Sequence, residues 1–247
     1  MAELNSARTL AELDGPLPAG EVHVWLVNLE LQAATISKLA SLLNPEEHQR
    51  AAQFEVASAR RQFIASHGFL RIVLGKYLGI EPAEIKFRLS PHGKPELAES
   101  TALHFNLSHT EGLAAIAASG VGPVGVDVER IRDEADVLGL AERFFSKKEA
   151  AWVRSHVGQE RVISFFTCWT AKEAYVKAHG GGLSIPLDGF AAMPDADKPK
   201  LQLEFFADAA EARRWSLWPL TLPSEFRGAV AVEGAASSLR LGWAAEL

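Results

Sequence analysis

The stretch VGVDVER (residues 124–130) alternates valines with other residues, and this alternation predicts a β-strand. Alternate strand residues project from the same face, so Asp127 and Glu129 lie side by side. On an exposed edge, water would solvate both carboxylates, whereas at a covered site their repulsion favours a hard cation between them. Because the strand is otherwise built of valines, we favour the covered site.

The composition is that of a soluble globular protein: of 247 residues, 48% are hydrophobic and 23% are charged. This length suits one large domain or two of about 120 residues each. A net charge of −6 argues against a general nucleic-acid binder. The single cysteine, Cys168, excludes an internal disulfide and a cysteine-based metal cluster.

The sequence also lacks signals for export or for a membrane. The first ten residues, MAELNSARTL, lack the charged start and apolar core of a signal peptide. The longest uncharged run (residues 112–126) is too short, and too rich in Gly and Pro, to span a bilayer. We therefore expect a cytoplasmic protein with neither membrane nor nucleic-acid partners.

The order of predicted elements occurs twice along the chain. In each copy a strand is followed by a helix start and then by a long helix that ends at glycine. A shift of 102 positions carries Val22 to Val124, Asn44 to Ser146, Glu47 to Glu149 and Gly79 to Gly181. Both helix starts fit a capping box, in which a polar N-cap side chain and a Glu three residues later satisfy free backbone amides. We interpret the repeat as an internal duplication.

Further strands are predicted after each long helix, at residues 85–90, 103–109, 201–206, 214–222, 228–234 and 239–247. Strands and helices in this order predict an α+β fold with largely antiparallel sheets. We divide the chain into two pseudosymmetric halves, a first half of residues 1–120 and a second half of residues 121–247. No long linker separates them, so the halves should pack closely, and the crevice between them is the expected place for a ligand.

A third acid is predicted on the second long helix. Trp169, Glu173 and Lys177 are four residues apart and share one helix face. The Glu–Lys pair alone would suit an ordinary surface helix, but the tryptophan on the same face indicates that this face is partly covered. Lys172 adds a neighbouring cation. Acids that hold Mg²⁺ and lysines that hold phosphate are the usual parts of a phosphoryl-transfer site.

The first half supplies candidate phosphate contacts. Gly93, Lys94 and Pro95 form a turn in which the backbone can approach a ligand closely, although such turns are also common without a ligand. Ser108 and His109 end a predicted strand and could donate hydrogen bonds to phosphate, with a structural role for the histidine as the alternative. Three arginines on the first long helix add positive charge: Arg60, Arg61 and Arg71.

Together these motifs resemble one known family. GKP (93–95), FNLSH (105–109), GVDVE (125–129), RFFSKKE (143–149) and WTAKEAYVKAHGGGLSIPL (169–187) are similar in order and spacing to the motifs of the Sfp-type 4'-phosphopantetheinyl transferases. The resemblance implies a two-fold pseudosymmetric monomer. It also implies Mg²⁺-dependent transfer of the phosphopantetheine arm of coenzyme A to a serine of an apo acyl or peptidyl carrier protein, with release of 3',5'-ADP. Such carriers serve fatty-acid, polyketide or non-ribosomal peptide synthesis.

The resemblance also implies residue roles. Asp127, Glu129 and Glu173 would bind Mg²⁺, with Mn²⁺ as an alternative, and Glu173 would act as the general base, directly or through water. Lys177 would steady charge on the phosphates, with Lys172 as a phosphate neighbour. The remaining coenzyme A contacts would come from the first half: Arg61, Gly93, Lys94, Pro95, Ser108 and His109.

Two points stay open at this level. Glu149 matches an acid near the metal in this family, but a helix cap explains it equally well. Some relatives carry a lysine where this chain has Gly180–Gly182, which leaves a phosphate contact there in doubt. The competing hypotheses are a non-catalytic coenzyme A or nucleotide-binding module and a structural two-domain protein with coincidental acids.

Overall fold

The structure is a computed structural model that describes residues 8–13, 15–132, 136–195 and 200–244. The strands are β1 (Arg8–Thr9), β2 (Glu21–Asn28), β3 (Phe87–Leu89), β4 (Pro95–Leu97), β5 (His104–Thr110), β6 (Leu113–Ser119), β7 (Val124–Arg130), β8 (Phe190–Pro194), β9 (Leu201–Phe205), β10 (Trp215–Pro219), β11 (Phe226–Glu233) and β12 (Ser238–Trp243). The α-helices are α1 (Ala33–Ala40), α2 (Pro45–Ala52), α3 (Ala57–Leu78), α4 (Val137–Phe144), α5 (Lys147–Ser155) and α6 (Gly158–His179).

The two halves repeat the same order of elements. Each has one strand, three helices, a short hairpin and two further strands, so that β2 corresponds to β7, α1–α3 to α4–α6, and β5 and β6 to β10 and β11. Strand order repeats as well, because β2-β6-β5 in one sheet matches β7-β11-β10 in the other, and both sets are antiparallel. The predicted α+β architecture of two pseudosymmetric halves is confirmed.

The helix boundaries agree closely with the duplication, with one correction. Asn44 and Ser146 are the N-caps of α2 and α5, and each forms a complete capping box with the Glu three residues later. The long helices α3 and α6, however, start at Ala57 and Gly158, which are 101 positions apart rather than 102. The second long helix therefore ends at Gly180, one residue before the predicted Gly181. Both closing glycines have positive φ, 67° at Gly79 and 79° at Gly180, where side chains cause strain.

Among the features that were not predicted, two concern the sheet of the first half. Strand β12 leaves the second half and inserts between β1 and β2, parallel to both, in the sheet of the first half. Strand β6 is buried along its whole length, so its sequence, LAAIAAS, shows no alternation that would reveal a strand. The predicted strand at residues 239–247 matches β12 in part, and residues 245–247 lie outside the described residues. No described helix has the length and hydrophobicity to cross a membrane.

The core between the halves positions the predicted acids. Val124, Val126 and Val128 of β7 are buried against β2 and β6 of the first half, in one continuous apolar cluster. The opposite face of β7 packs on α6, and Gly125 makes this packing possible. A Cβ atom at Gly125 would lie 2.2 Å from the Ala174 carbonyl oxygen and 2.3 Å from the Ala178 amide nitrogen, both in α6. Asp127 and Glu129 follow Gly125 on this face.

Candidate active site

Asp127 is the centre of the acidic group. Its carboxylate is almost fully buried, and Oδ1 accepts hydrogen bonds from Lys177 Nζ at 2.6 Å and from Ser108 Oγ at 3.0 Å. The other oxygen, Oδ2, is buried without a hydrogen-bond partner. A buried carboxylate oxygen without a partner is costly, so this atom is suited to an additional positive group.

Glu129 and Glu173 both lie within the electrostatic reach of Asp127. Burial raises the pKa of each glutamate, and the Asp127 carboxylate raises it further, whereas the charge of Lys177 lowers it. The three predicted acids are therefore brought together, and one lysine does not offset their combined charge. Hard oxygen donors with excess negative charge fit a cation such as Mg²⁺.

The side chains of Asp127, Glu129 and Glu173 are not arranged as a complete metal-binding site. Within residues 8–13, 15–132, 136–195 and 200–244, no group of three or more His, Cys, Asp or Glu side chains is arranged to hold a metal ion. In this arrangement Lys177 Nζ provides the positive charge next to Asp127. The assignment of Asp127, Glu129 and Glu173 to a metal thus remains a prediction, supported by the donor types, by the effect of Asp127 on the pKa of both glutamates and by the partnerless Oδ2.

A cleft of about 710 Å³ runs between the halves beside these acids, and we call it the interhalf cleft. The predicted stripe of Trp169, Glu173 and Lys177 lines it from α6. The turn Gly93–Lys94–Pro95 lines it from the first half. The remaining lining residues are His92, Asn106, Arg143, Phe144, Val176, Gly180, Gly182, Ile185, Leu187 and Asp188. Gly180 and Gly182 both have positive φ, so backbone conformation accounts for glycine at these positions.

Lys94 joins the two halves. Its Nζ donates to the carbonyl oxygens of Val124 at 2.9 Å, Lys177 at 2.7 Å and Ala178 at 3.4 Å. The last two belong to the final turn of α6, whose carbonyls have no partner within the helix. Burial lowers the pKa of Lys94 to about 8, with Glu96 acting in the opposite direction. Lys94 therefore links the first half to the end of α6 by hydrogen bonds, and it also lines the cleft.

Lys172 does not fit its predicted role beside the phosphates. Its side chain is fully buried and forms a 2.8 Å ion pair with the equally buried Glu149. Lys172 Nζ also donates to the carbonyl oxygens of Leu187 and Phe190, each at 2.6 Å. These partners use the donors of Lys172 within the second half, so its ammonium group is not available to a phosphate.

The structure also decides between the alternatives for Glu149. Its Oε2 accepts from the backbone and the hydroxyl of Ser146, and its Oε1 accepts from the Ala192 amide at 2.8 Å. A fully buried carboxylate with these partners and Lys172 is a helix cap and structural ion pair. It cannot reach a substrate serine or relay its proton.

The first-half candidates are only partly brought to the site. The Ser108 hydroxyl donates to Asp127 and accepts from Lys177 Nζ at 3.0 Å and the Val128 amide at 3.4 Å, so its bonding capacity is filled within the protein rather than by phosphate. His109 lies near Lys177 and Arg50. Desolvation lowers the pKa of His109, and both cations lower it further.

The three arginines of α3 that were predicted to add positive charge do not line the cleft. Arg61 donates to the Leu31 carbonyl oxygen at 2.7 Å and does not line the cleft. Arg60 donates to carbonyl oxygens at the end of α2 and in the α2–α3 connection, and buried Arg71 pairs with Glu47 at 2.8 Å. The arginine whose charge reaches His109 is Arg50 of α2, which the sequence reasoning missed. No local pattern marks it, because only the fold brings the Arg50 charge within reach of His109.

The comparisons with known proteins agree with this architecture. The 4'-phosphopantetheinyl transferase superfamily matches residues 123–231, and the 4'-phosphopantetheinyl transferase N-terminal family matches residues 30–121. The chain is 37% identical to the 4'-phosphopantetheinyl transferase HetI of Nostoc sp., across 88% of this chain and 90% of HetI. It is 34% identical to the transferase gsp of Aneurinibacillus migulanus, across 65% of this chain and 66% of that protein. It is 29% identical to Sfp of Bacillus subtilis, across 62% and 67%.

These matches cover both halves in the order that the structure shows. The chain belongs to the Sfp-type 4'-phosphopantetheinyl transferase family and is an enzyme of that class. This membership disfavours both the non-catalytic module and the structural protein with coincidental acids.

Proposed function

We propose that this enzyme transfers the 4'-phosphopantetheine arm of coenzyme A to a serine of an apo acyl or peptidyl carrier protein in a Mg²⁺-dependent reaction. The observation that carries the proposal is the group of three acids, Asp127 with Glu129 and Glu173, placed with Lys177 beside a cleft that both halves line. Transfer from a diphosphate requires cations that offset its negative charge, and the attacking hydroxyl requires a general base. The acids of this group could hold Mg²⁺ and supply the base, and Lys177 adds a positive charge.

The interhalf cleft suits a long ligand with phosphates at one end. Apolar side chains form one wall, contributed by Phe144, Trp169, Val176, Ile185 and Leu187. The cationic side chains that line the cleft are those of Lys94, Arg143 and Lys177. Pockets with apolar walls and a few placed polar groups are typical of cofactor-sized ligands. We assign the pyrophosphate to the Lys177 end and the nucleoside to the Gly93–Lys94–Pro95 turn.

Asp127, Glu129 and Glu173 would hold the Mg²⁺ ion. When bound, Mg²⁺ offsets negative charge on the pyrophosphate and on the departing 3',5'-ADP. Asp127 Oδ2 is the oxygen for which the protein provides no partner of its own. Glu129 and Glu173 are the neighbours whose charge Asp127 makes unfavourable.

Glu173 is the proposed general base. Burial and the Asp127 charge raise the pKa of Glu173 in the protein alone, whereas a cation bound beside it would lower that pKa. The serine oxygen attacks the β-phosphorus, the bond from that phosphorus to the bridging oxygen breaks, and 3',5'-ADP leaves. The serine proton passes to Glu173, directly or through a water molecule. Glu149 is excluded as an alternative base because it is fully buried.

Lys177 is the proposed phosphate-stabilising cation. Its side chain is 30% exposed and lies in the cleft, while its Nζ is 2.6 Å from Asp127. An ammonium group has three donors, of which Asp127 and Ser108 engage two. The third remains for a phosphate oxygen. Both walls of the cleft come from one chain, which supports a monomeric enzyme.

The proposed carrier partner fits a surface next to the cleft. Leu140 and Phe144 are exposed large apolar residues one turn apart on α4, at 40% and 37%. Arg143 lies beside Phe144, with its guanidinium 5.0 Å from the ring centre. Phe144 and Arg143 also line the cleft, so an acidic carrier seated here would present its serine to the acids.

The test is direct transfer. The protein is incubated with Mg²⁺, coenzyme A and a broad panel of apo carriers from fatty-acid, polyketide and non-ribosomal peptide systems, and carrier mass is measured. We expect a gain of one phosphopantetheinyl group that requires both Mg²⁺ and coenzyme A. A matched reaction with Glu173→Gln controls for contaminating activity. No gain on any carrier, from folded wild-type protein, would refute the proposal.

A further inference from the structure

The seam between the two sheets is made by side chains instead of backbone pairing. Strand β5 is the last strand of one sheet and β7 the last strand of the other, so their edges face each other. Asn106 Oδ1 accepts from the Val126 amide at 2.9 Å, Ser108 Oγ from the Val128 amide at 3.4 Å, and Thr110 Oγ1 from the Arg130 amide at 3.2 Å. Three alternate β5 side chains thus bond three alternate β7 amides.

Two members of this seam also bond the acids. The Ser108 hydroxyl accepts from the Val128 amide and donates to Asp127, at 3.0 Å. The Thr110 hydroxyl repeats this arrangement two residues later, because it accepts from the Arg130 amide and donates to Glu129 Oε2 at 3.4 Å. The same contact therefore occurs twice, in the register of the strands. Both hydroxyl side chains belong to buried residues.

A hydroxyl that accepts from an amide must direct its own proton elsewhere. At Ser108 and at Thr110 the hydroxyl donates this hydrogen bond to a carboxylate, that of Asp127 and that of Glu129 respectively. The bond limits the rotation of an acid side chain that would otherwise turn away from Asp127, since like charges repel. Thr110 makes no phosphate or metal contact in the proposed mechanism, and it does not line the cleft.

We propose that Thr110 is a positioning residue for Glu129, whose carboxylate it orients toward the cation site as Ser108 orients Asp127. The role rests on the proposed function, because it matters only if Glu129 holds a cation. Groups that orient metal ligands typically affect metal affinity by about 10-fold to 100-fold. Removing the Thr110 hydroxyl should therefore weaken cation binding without altering the coenzyme A contacts.

The test uses Thr110→Val, which keeps the shape of the side chain, and Thr110→Ser, which keeps the hydroxyl. Mn²⁺ binding to the full-length protein, with and without coenzyme A, is followed by the electron paramagnetic resonance signal of free Mn²⁺. We expect about 10-fold weaker Mn²⁺ binding in Thr110→Val and near wild-type binding in Thr110→Ser. The KM for coenzyme A should stay unchanged. Thr221→Val, at an exposed site between β10 and β11, is the matched control and should bind Mn²⁺ like the wild type.

A double-mutant cycle separates orientation from general structural damage. If Thr110 acts through Glu129, Thr110→Val should cause no further loss of Mn²⁺ affinity in a Glu129→Gln background. Wild-type Mn²⁺ affinity in Thr110→Val, a loss that persists in the Glu129→Gln background, or no saturable Mn²⁺ binding to the wild type would each overturn the proposal. Because this readout needs no carrier, failure of the transfer reaction and failure of the Thr110 role can be told apart.

Discussion

At the scale of single residues, Asp127 controls the charge of the site. It is the shared neighbour of Lys177, Ser108, Glu129 and Glu173. Its negative charge raises the pKa of both glutamates, while its own Oδ2 stays without a partner. Asp127 therefore contributes both to the attraction of the site for a cation and to the raised pKa of Glu173, to which burial contributes most.

Asp127→Asn should abolish most of the activity and change the pH dependence of stability. The folded protein holds protons on Glu129 and Glu173 more tightly than the unfolded chain does. Its free energy of unfolding therefore falls as pH rises above about 4.5 and through the raised pKa values. Asparagine removes the Asp127 contribution, so this fall should become shallower, and kcat should drop by roughly 100-fold or more.

The measurements are urea unfolding between pH 4 and pH 8 and steady-state transfer kinetics. Glu96→Gln, at a partly buried position outside the acidic group, serves as the matched loss of one carboxylate. An unchanged pH slope in Asp127→Asn would show that Asp127 does not control the two glutamates.

Lys172→Met should destabilise the fold strongly because it leaves Glu149 buried without its partner. Breaking a buried ion pair from one side costs about 3–5 kcal/mol. The double variant Lys172→Met/Glu149→Gln should recover part of that loss, because it removes the remaining charge. Chemical denaturation of both variants tests this. A Lys172→Met protein of normal stability with a raised KM for coenzyme A would restore the phosphate role.

At the scale of elements, the packing of α6 on β7 is the critical contact. Trp169, Glu173 and Lys177 face the cleft only because α6 approaches β7 closely at Gly125. The valines of β7 simultaneously pack on the first half. The strand is therefore fixed on both faces, and its acids are held at the seam.

Gly125→Ala should displace α6. Its Cβ would overlap backbone atoms of Ala174 and Ala178, and backbone cannot rotate away as a flexible side chain can. Overpacking of this kind costs about 1–3 kcal/mol, and the shift should reduce kcat together with stability. Gly120→Ala is the control, since its nearest contact would be an ordinary 3.4 Å. Equal melting temperatures and rates in the two variants would contradict this account.

At the scale of the whole molecule, the halves are joined by apolar packing, by strand β12, by the β5–β7 seam and by Lys94. Strand β12 carries residues of the second half into the sheet of the first. Lys94 connects the first-half turn to carbonyls of β7 and α6. The geometry of the cleft therefore depends on long-range contacts.

Lys94→Met should loosen this connection. Three carbonyl oxygens lose a donor, which we expect to cost about 1–3 kcal/mol. Amide hydrogen exchange should accelerate at the end of α6, and the KM for coenzyme A should rise if the proposed nucleoside contact is correct. Lys86→Met, at an exposed position before β3, is the control. Unchanged amide hydrogen exchange at the end of α6 in Lys94→Met would contradict the stabilising link between Lys94 and α6. An unchanged KM for coenzyme A would contradict the proposed nucleoside contact.

Local patterns determined a large part of this protein. Alternation placed Asp127 and Glu129 on one face of β7, helical spacing placed Glu173 and Lys177 on one face of α6, and the capping boxes located α2 and α5. These features depend on residues close in the chain, whose relative positions follow from strand and helix geometry. Sequence motifs also identified the family before the fold was known.

Tertiary structure alone decided which charged groups serve the site and which serve the core. Lys172 and Glu173 are adjacent in sequence, yet one points into the second half and the other into the cleft. Arg50 rather than Arg61 reaches His109, and Thr110 bonds Glu129 across the seam. Such pairings join residues distant in the chain, and their energies depend on burial and mutual distance, which no local spacing encodes. The acidic pair in VGVDVER is thus predicted by the sequence, but its partners are set by packing.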